Sequence, residues 1–322
     1  MKNYQVIDET LEKPIVSVAM LAYNHSKYIN EAIDSVLMQE TDFPLQLVIA
    51  EDYSPDNTRE IILDYQKKYP HIIKLVLQNQ NVGAKQNNYD LFENLDGKYV
   101  AALEGDDYWV TKNKLQRQLF FLEAEENVGL VYTNAMLLEN GVFSNRIFSY
   151  TNNQKLGIKN CIPTLTTFFI NDQSLFKELF DILRNKQWPL GDYPLWLIIG
   201  RKYEIKGLDE VTGVYRITPG TASRPSLYSK EFDFIKAIFE IQVLFNNGNE
   251  VKIISNNFLR EYIKFFIRRG KDIEYNDFIL YKDYVKSIKE VSFCLKLLAL
   301  IVSYKVVALV LSITFDFFKK IK

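Results

Sequence analysis

The sequence predicts an α/β protein whose mainly parallel central sheet is flanked by helices. In the first half of the chain, short runs rich in β-branched residues alternate with segments that carry apolar residues at helical spacing. This alternation is typical of strands joined by crossover helices. Polar and acidic residues directly follow several apolar runs, as they do where ligands bind at the carboxyl ends of strands. After about residue 225 the pattern becomes mainly helical.

A β-α-β unit opens the predicted sheet. Residues 16–22 and 45–50 are apolar runs that predict buried strands, and residues 27–39 between them predict an amphipathic helix. Ser54 and Pro55 mark the start of a second helix, because serine caps helix N-termini and proline suits the first helical turn.

The next strands lead into an acidic cluster. Residues 72–77 and 98–103 predict strands with a helix at 86–94 between them, and residues 104–107 read Glu-Gly-Asp-Asp. Because the carboxyl ends of parallel strands meet at one edge of a sheet, we expect the polar residues that follow them to lie together. These residues are Asn24, Glu51, Asp52, Asn79 and residues 104–107.

The second half of the chain changes character along its length. Residues 129–138 and 142–148 predict strands that complete the sheet, whereas apolar residues three and four apart predict helices further on. The predicted helices lie at 232–244, 258–267 and 279–288. We therefore expect one domain over residues 1–225 and a helical region over residues 226–322.

Composition and charge argue against several classes of protein. The 322 residues carry a formal charge of −1, so no global excess of Lys and Arg favours nucleic-acid binding. The two cysteines, Cys161 and Cys294, are far apart in sequence and lack metal-ligand spacing, so neither a disulfide framework nor a zinc site is expected. A reducing compartment fits this composition best. Residues 1–14 lack the apolar run of a secretory signal, so we expect a cytoplasmic location.

A cleft lined by carboxylates and amides favours a polyanionic ligand held through a divalent cation. Oxygen ligands suit Mg²⁺ or Mn²⁺, and three acids directly after a strand repel one another unless a cation joins them. The two histidines, His25 and His71, give little support to a histidine-rich metal site or a Ser-His-Asp triad. Neither GxGxxG nor GxxxxGKS/T occurs, so phosphate binding is expected to involve the metal.

Five short motifs follow one another in order. They are PIVSV from Pro14, YN from Tyr23, EDYSPDNT from Glu51, NVG from Asn81 and EGDDYW from Glu104. In order and spacing they resemble the family 2 glycosyltransferases of the inverting type, over about residues 14–220. The resemblance implies a GT-A (nucleotide-diphospho-sugar transferase) fold and the transfer of a sugar from a nucleotide donor.

The resemblance implies that the base and ribose of the nucleotide lie against the first two strand ends. The matching residues are Ala22, Tyr23, Asn24, Glu51 and Asp52. A carboxylate at Asp52 could accept a hydrogen bond from the uracil N–H, which favours a uridine donor. The alternative is that Asp52 shares a turn or helix-capping role with Ser54 and Asp56.

The DxD motif of the family matches Glu104, Gly105 and Asp106. Glutamate replaces the usual first aspartate, and its longer side chain can still reach the ribose or a metal-bound water. We predict that Asp106 binds Mn²⁺ or Mg²⁺ together with the donor diphosphate, where the cation neutralises charge on the departing nucleoside diphosphate. The alternative is a solvated acidic turn before a helix at 112–125.

The segment WPLGDYPLW from Trp188 resembles the part of the family that carries the catalytic base. Asp192 is the candidate base, because an inverting transfer needs a carboxylate that takes the proton of the attacking hydroxyl. The alternative is a helix N-cap, and the two roles are compatible. Trp188 could offer an aromatic wall to a sugar or pack in the core, whereas Trp196 is expected in the core.

The resemblance also implies further contacts to the donor. Arg216 matches a strand-end arginine that precedes a loop closing over the donor, here residues 218–224. Ser223 and Arg224 in this loop are candidate phosphate donors, and Thr218 stands where family members often carry histidine. The residues expected to line the donor pocket are Asn81, Gly83, Lys85 and Asn87. The alternative for these four is a simple β-α loop.

The C-terminal residues 282–322 combine apolar stretches with eight lysines, while acids become rare after Glu290. This composition is typical of an amphipathic or near-spanning helix on an anionic membrane surface. Lys296 and Lys305 interrupt residues 292–318, so no window reaches the roughly 18 apolar residues of a membrane span. The alternative is a pair of core helices.

We therefore predict a metal-dependent, inverting hexosyl- or N-acetylhexosaminyl-transferase that builds a cell-surface glycan from a UDP-sugar. Its partners would be the nucleotide-sugar donor and a glycan or lipid-linked acceptor, with peripheral contact to the inner face of the plasma membrane. Two rival predictions are a nucleotidyltransferase and a nucleotide-binding module without turnover. The former should carry a glycine- and arginine-rich loop after its first strand, and Tyr23-Asn24-His25-Ser26 is not one.

Overall fold

The computed structural model describes residues 3–148, 156–217, 227–289 and 291–304, together with Val307 and Leu311. The chain divides into two compact units. The first comprises the described parts of residues 1–154, 161–186 and 191–218, and the second those of residues 155–160, 187–190 and 219–322. The predicted boundary near residue 225 lies outside the described residues and stays a prediction.

The first unit is built on one mixed sheet. Its described strands are β1 (Tyr4–Ile7), β2 (Val16–Ala22), β3 (Leu45–Glu51), β4 (Ile73–Gln78), β5 (Tyr99–Ala102), β6 (Tyr108–Trp109), β7 (Val128–Glu139), β8 (Val142–Phe148), β9 (Phe168–Ile170) and β10 (Glu204–Ile217). Their order is β1-β4-β3-β2-β5-β9-β7-β10-β6, with β8 paired to β7. The neighbours β4, β3, β2 and β5 run parallel, as do β7 and β10, whereas β1, β6, β8 and β9 pair antiparallel.

Helices pack against the strands of this unit. They are α1 (Ile29–Leu37), α2 (Thr58–Lys68), α3 (Ala84–Phe92), α4 (Lys114–Ala124), α5 (Gln173–Arg184) and α6 (Asp192–Lys202), and a 3₁₀ turn spans Thr164–Thr166. Apolar residues recur three and four apart on α1, so Ile29, Ile33 and Val36 are fully buried in the core. Val18 and Met20 of β2 belong to the same core cluster.

The predicted α/β fold with helices flanking the sheet and a C-terminal helical extension is confirmed. The strands predicted at 16–22, 45–50, 72–77 and 98–103 correspond to β2, β3, β4 and β5. A mainly parallel sheet was expected, but the strands around this parallel centre make the whole sheet mixed. One antiparallel pair is the β7-β8 hairpin. Asn140 and Gly141 adopt φ angles of 52° and 78°, which suit a two-residue turn between antiparallel strands. The strand β1 was not predicted.

The second unit is helical. It contains α7 (Tyr228–Phe245), α8 (Asn249–Arg269), α9 (Tyr275–Ser287) and α10 (Phe293–Val302). Aromatic rings form much of its core: the Phe232 ring stacks on Tyr281 with centroids 3.8 Å apart and packs edge-on against Tyr262. The predicted helices fall within α7 and α8 and on α9, which ends one residue earlier than expected. In the part of the chain that is described, no helix has the length and apolar character needed to cross a membrane.

Candidate active site

The carboxyl ends of the parallel strands carry many of the predicted site residues. Ala22 at the end of β2 pairs with Glu51 at the end of β3. The register continues beyond the strands, since the Asp52 N–H donates to the Ala22 carbonyl at 3.1 Å. On the other side of β2, the Gly105 N–H donates to the Leu21 carbonyl at 3.0 Å. Three strand ends therefore bring the two acidic motifs to one edge of the sheet.

The acidic turn after β5 is fixed by Arg216. The main-chain N–H of Arg216 donates to Asp107 Oδ1, and its guanidinium donates to the Asp106 carbonyl, both at 2.7 Å. The same guanidinium pairs with Glu31 and lies 4.6 Å from the ring centroid of Tyr108. These contacts give Arg216 a structural role in holding the turn. Its expected contact with the donor stays a prediction.

The two adjacent aspartates of this turn have different surroundings. Asp107 is 1% exposed. Its burial and the charges of Asp106 and Glu104 raise the pKa of Asp107 well above its usual range, although hydrogen bonding and charge from Arg216 oppose the rise. The Asp106 side chain is 17% exposed. Of the two, Asp106 is therefore the carboxylate that a ligand can reach, which is compatible with its predicted metal role.

Glu104 lies in a strongly acidic environment. Its Oε2 atom is buried and has no hydrogen-bond partner among the described residues. Burial and the charges of Asp106 and Asp192 raise the pKa of Glu104 to about 8. Buried carboxyls without partners are not what a solvated acidic turn would show. Carboxylates from the end of β5, from the following turn and from α6 instead converge here.

His25 is a site residue that sequence reasoning missed. Its Nε2 atom lies 3.9 Å from Asp106 Oδ1, and its Nδ1 atom is buried without a hydrogen-bond partner in the described part of the chain. Burial lowers the pKa of His25, against the opposing charges of Asp106 and Asp56. Gly105 makes room for the imidazole, because a Cβ atom there would lie 2.7 Å from Nδ1. The available signal was its place directly after the YN motif.

The turn after β2 is held by the EDYSPDNT motif. Asn24 adopts a φ of 59°, and its N–H donates to Ser54 Oγ at 3.0 Å. The Ser26 N–H donates to Asp56 Oδ2 at 3.0 Å. Burial acts to raise the pKa of Asp56, but hydrogen bonds from Thr58 and Ser26 lower it to about 2. The EDYSPDNT motif thus shapes the turn after β2 that carries the YN motif.

Glu51 and Asp52 both make internal contacts. The two carboxylate oxygens of Asp52 accept hydrogen bonds from the N–H groups of Val82 and Gly83, at 2.7 and 3.0 Å. Burial raises the pKa of Asp52, while these hydrogen bonds oppose the rise. Glu51 is fully buried and pairs with Arg59. Asp52 therefore fastens the loop after β4, and its contact with uracil stays a prediction.

Asp192 is the first residue of α6, and Gly191 precedes it as the N-cap. A carboxylate in the first turn of a helix is stabilised by the helix dipole. Asp192 Oδ2 accepts a hydrogen bond of 2.8 Å from the Thr164 hydroxyl. The charge of Asp192 also contributes to the raised pKa of Glu104. The candidate base therefore lies beside the acidic cluster, and the N-cap alternative does not describe its position.

Two of the residues expected to line the donor pocket support the protein framework. Asn87 is 2% exposed, and its amide donates to the Ala50 carbonyl at 3.0 Å. Lys85 Nζ donates to the carbonyls of Leu183 and Lys186 near the end of α5, at 2.9 and 3.1 Å. These side chains fix α3 and α5 in place. Their contact with the donor stays a prediction.

Asn81, Gly83 and Tyr23 are exposed or half-buried. Asn81 is exposed, and its amide donates to the Asp52 carbonyl at 3.1 Å. Gly83 adopts a φ of 83°, in the region that glycine occupies without strain. Tyr23 is 45% exposed. These residues are accessible to a ligand at the strand ends.

The two tryptophans of the WPLGDYPLW segment are buried. Trp196 is 1% exposed and packs edge-on against Phe169, with centroids 5.4 Å apart, so it lies in the core as expected. Trp188 is 7% exposed and donates from Nε1 to Glu240 at 2.8 Å within the second unit. Its ring is buried, which favours the core alternative over a wall for a sugar.

The expected metal would take only part of its ligands from the protein. Within the described ranges, no group of three His, Cys, Asp or Glu side chains is arranged to hold a metal ion. The partly exposed Asp106 carboxylate, with the partnerless Glu104 Oε2 nearby, suits a cation that takes further oxygen ligands from a bound diphosphate. Residues 218–224, with Thr218, Ser223 and Arg224, lie outside the described residues.

Comparison with known sequences gives consistent matches. The model for glycosyl transferase family 2 matches residues 17–180. The chain is 30% identical over 217 residues to the putative teichuronic acid biosynthesis glycosyltransferase TuaG of Bacillus subtilis (strain 168), covering 66% of this chain and 82% of TuaG. It is 28% identical over 233 residues to the UDP-Glc:alpha-D-GlcNAc-diphosphoundecaprenol beta-1,3-glucosyltransferase WfgD of Escherichia coli. This alignment covers 70% of this chain and 85% of WfgD.

A shorter match has higher identity. The chain is 38% identical over 108 residues to the uncharacterized protein Rv1520 of Mycobacterium tuberculosis (strain ATCC 25618 / H37Rv), which is 34% of this chain. This alignment spans 31% of the length of Rv1520.

Solved structures share the fold. Residues 1–349 of Staphylococcus aureus TarS, solved with UDP-GlcNAc, superpose with a TM-score of 0.63 at 19% identity, over 91% of this chain and 90% of that one. The mannosyltransferase PcManGT of Pyrobaculum calidifontis, solved with GDP-Man and Mn²⁺, superposes with a TM-score of 0.52 at 13% identity. The superposition covers 97% of this chain and 90% of PcManGT. The GT-A fold implied by the sequence motifs is therefore confirmed.

Proposed function

The chain belongs to glycosyl transferase family 2, and we propose that it transfers a hexose or N-acetylhexosamine from UDP to an acceptor hydroxyl, with inversion at the anomeric carbon. The observation that carries this proposal is the convergence of Glu104, Asp106 and Asp192, since the charges of Asp106 and Asp192 both act on the Glu104 carboxyl. A donor diphosphate at Asp106 would present its sugar towards Asp192.

An inverting transfer needs a base and an in-line attack. The acceptor oxygen bonds to the anomeric carbon, the bond from that carbon to the diphosphate oxygen breaks, and the base takes the acceptor proton. We assign this proton to Asp192 Oδ1, because Oδ2 is hydrogen-bonded to Thr164. The products are UDP and a glycoside of opposite anomeric configuration.

A divalent cation, Mn²⁺ or Mg²⁺, completes the proposed donor site. Asp106 would hold it, because its carboxylate is partly exposed and oxygen ligands suit these ions. When bound, the cation neutralises negative charge on the departing UDP. The PcManGT structure contains both GDP-Man and Mn²⁺, which supports this part of the proposal.

Uridine is the proposed base of the donor. Each Asp52 carboxylate oxygen accepts one main-chain hydrogen bond, and a carboxylate oxygen has a second lone pair that can accept the uracil N–H. TarS was solved with UDP-GlcNAc, and WfgD is named for a UDP-Glc donor. Both support a UDP-sugar for this chain.

The proposed product is a cell-surface glycan, built on a glycan or lipid-linked acceptor. TuaG is named for teichuronic acid biosynthesis and WfgD for a diphosphoundecaprenol-linked acceptor. An acceptor of the latter kind is held in a membrane. We therefore propose a cytoplasmic protein in peripheral contact with the inner face of the plasma membrane.

The exposed face of α10 supports the proposed membrane contact. Leu297, Leu298 and Ile301 on α10 and Tyr304 just after it are 42–56% exposed, at the spacing of one helix face. The one charged residue of α10, Lys296, donates to main-chain carbonyls near the end of α9. A surface helix normally presents polar residues to solvent, so an apolar face fits burial at a lipid interface.

Vesicle flotation tests this contact. The full chain should float with vesicles that contain phosphatidylglycerol, and the Leu297→Asn, Leu298→Asn double variant should float less, because the inserted apolar area is reduced. Lys252→Gln on α8 serves as a control that changes one exposed charge in the same unit. Flotation that the double variant leaves unchanged would argue against α10 as the contact surface.

The transfer reaction tests the main proposal. The purified chain is incubated with UDP-Glc or UDP-GlcNAc, Mn²⁺ and a synthetic lipid-diphosphate-linked N-acetylglucosamine, and the product is examined by mass spectrometry and NMR. We expect UDP release coupled to a β-linked product. A retained α linkage would contradict inversion. Donor binding without turnover across UDP-sugars and acceptors would favour the binding-module alternative.

A further inference from the structure

The carboxylate of Asp192 has a neighbour that the sequence motifs do not include. Thr164 Oγ1 donates to Asp192 Oδ2 at 2.8 Å, from a part of the chain 28 residues earlier. We propose that Thr164 is a positioning residue, which holds the Asp192 carboxylate in the orientation needed for proton transfer. This inference rests on the proposed function of Asp192 as the base.

The turn that carries Thr164 is firmly anchored. Thr166 Oγ1 donates to the Thr133 carbonyl on β7 at 3.0 Å, and Thr167 Oγ1 donates to the Thr164 carbonyl at 2.8 Å. From α4, Gln118 donates to the Thr166 carbonyl at 2.8 Å. Thr133, Thr166 and Gln118 are fully buried. Thr164 is therefore placed by the sheet and α4, independently of the helix that it contacts.

The same turn contacts the segment that carries the metal-binding candidate. Trp109 Nε1 donates to the Leu165 carbonyl at 2.7 Å, and Trp109 lies on β6, three residues after Asp106. Leu165 is also fully buried and fills the space above Gly213, where a Cβ atom would lie 2.7 Å from Leu165 Cδ1. The adjacent residues Thr164 and Leu165 thus contact the candidate base and the strand that directly follows the acidic turn.

A hydroxyl at this place has a defined chemical effect. By donating to Oδ2, Thr164 restricts rotation of the carboxylate and directs Oδ1 to the acceptor. A small error in the position of a catalytic group costs up to about 100-fold in rate, because the reacting atoms must meet at a near-attack distance. The hydrogen bond joins Thr164 to the proposed base and to none of the residues proposed to hold the nucleotide, so we expect UDP binding to be unaffected by loss of the hydroxyl.

The test compares Thr164→Val, which removes the hydroxyl at constant shape, with Thr164→Ser, which retains it. In the transfer assay we expect kcat of Thr164→Val to fall roughly 10- to 100-fold, with the donor KM and the affinity for UDP at wild-type values. Thr164→Ser should recover most of kcat. Thr41→Val is the matched control, because Thr41 donates to the Phe43 carbonyl before β3, away from the strand ends of the site.

The outcomes distinguish a failure of the Thr164 inference from a failure of the proposed function. If wild type transfers sugar and Thr164→Val keeps its kcat, Thr164 does not position the base, while the proposed function stands. Equal losses in Thr164→Ser and Thr164→Val would also overturn the inference, since the hydroxyl would then not be the cause. If Thr164→Val fails to fold, a wild-type kcat for Thr164→Ala, which also lacks the hydroxyl, overturns it. A wild-type protein that shows no transfer overturns the proposed function and this inference together.

Discussion

The main-chain N–H of Arg216 donates a hydrogen bond of 2.7 Å to Asp107 Oδ1, and this bond joins the end of β10 to the turn after β5. It gives Asp107 a buried, structural position, while its neighbour Asp106 keeps a partly exposed side chain. Two aspartates that are adjacent in sequence are thereby assigned different tasks.

The Asp192→Asn variant should lose transfer and keep donor binding. An amide cannot take the acceptor proton, and general bases commonly contribute about 10² to 10⁴ in rate, so we expect kcat to fall by that range. The affinity for UDP with Mn²⁺ should stay at the wild-type value. Asp181→Asn, which removes an exposed partner of Arg184, is the control. Transfer at the wild-type rate in Asp192→Asn would exclude Asp192 as the base.

Glu104 should make the stability of the metal-free protein depend on pH. Its folded-state pKa is about 8 against an ordinary value of 4.5, so between these values the folded protein retains a proton that the unfolded chain has lost. The contribution of Glu104 to the free energy of unfolding therefore falls as pH rises through this window. Glu104→Gln should remove that contribution.

Urea unfolding in EDTA at about pH 5 and about pH 8.5 checks this sign. Wild type should lose more stability between the two values than Glu104→Gln does. Glu40→Gln is a suitable control, because Glu40 is an exposed partner of Lys112. Identical pH dependence in wild type and Glu104→Gln would show that the Glu104 carboxyl is not perturbed.

The Gly105→Ala variant should be destabilised. Its Cβ atom would lie 2.7 Å from His25 Nδ1, 2.8 Å from Ile29 Cδ1 and 3.1 Å from the Leu21 carbonyl oxygen. Forcing a methyl group into a packed site typically costs about 1–3 kcal/mol in the free energy of unfolding, measured by urea titration. Gly191→Ala is the control, since the nearest atom to its Cβ would be 3.4 Å away. Equal stability of the two variants would contradict the close packing of His25 on Gly105.

The Asp52→Asn variant tests the loop that Asp52 fastens. An amide presents one acceptor oxygen, so one of the two N–H groups of Val82 and Gly83 would face an NH₂ group and lose its acceptor. We expect a loss of about 1–3 kcal/mol in the free energy of unfolding, measured by urea titration. Asp64→Asn, at an exposed ion pair with Lys67, should change stability far less. Equal effects would refute the loop contact.

The ends of strands could be predicted from the sequence, because each apolar run and the polar residues that directly follow it mark where a strand ends. This is why β2 to β5 and the placement of Asp106 at the sheet edge agree with expectation. The pattern does not show which of the side chains at a strand end form hydrogen bonds within the protein and which are left to contact a ligand. Asn87 and Arg216 were expected at the donor, yet their hydrogen bonds go to the Ala50 carbonyl and the acidic turn.

His25 and Thr164 illustrate the other limit of pattern reading. A single histidine or threonine carries no periodic signal, and its importance arises from a contact made across the fold. His25 meets Asp106 across 81 positions, and Thr164 meets Asp192 across 28. The antiparallel edge strand β1 was also missed, because its four half-exposed residues are too few to show a strand pattern.

Asp106, with a divalent cation, is proposed to hold the diphosphate of a UDP donor. Calorimetric titration of UDP into wild type, Asp106→Asn and Asp107→Asn, each with Mn²⁺ and with EDTA, decides whether this claim holds. We predict Mn²⁺-dependent binding in wild type, its loss in Asp106→Asn, and its retention in Asp107→Asn, whose amide oxygen can still accept from the Arg216 N–H. Wild-type, Mn²⁺-dependent affinity in Asp106→Asn would contradict the claim.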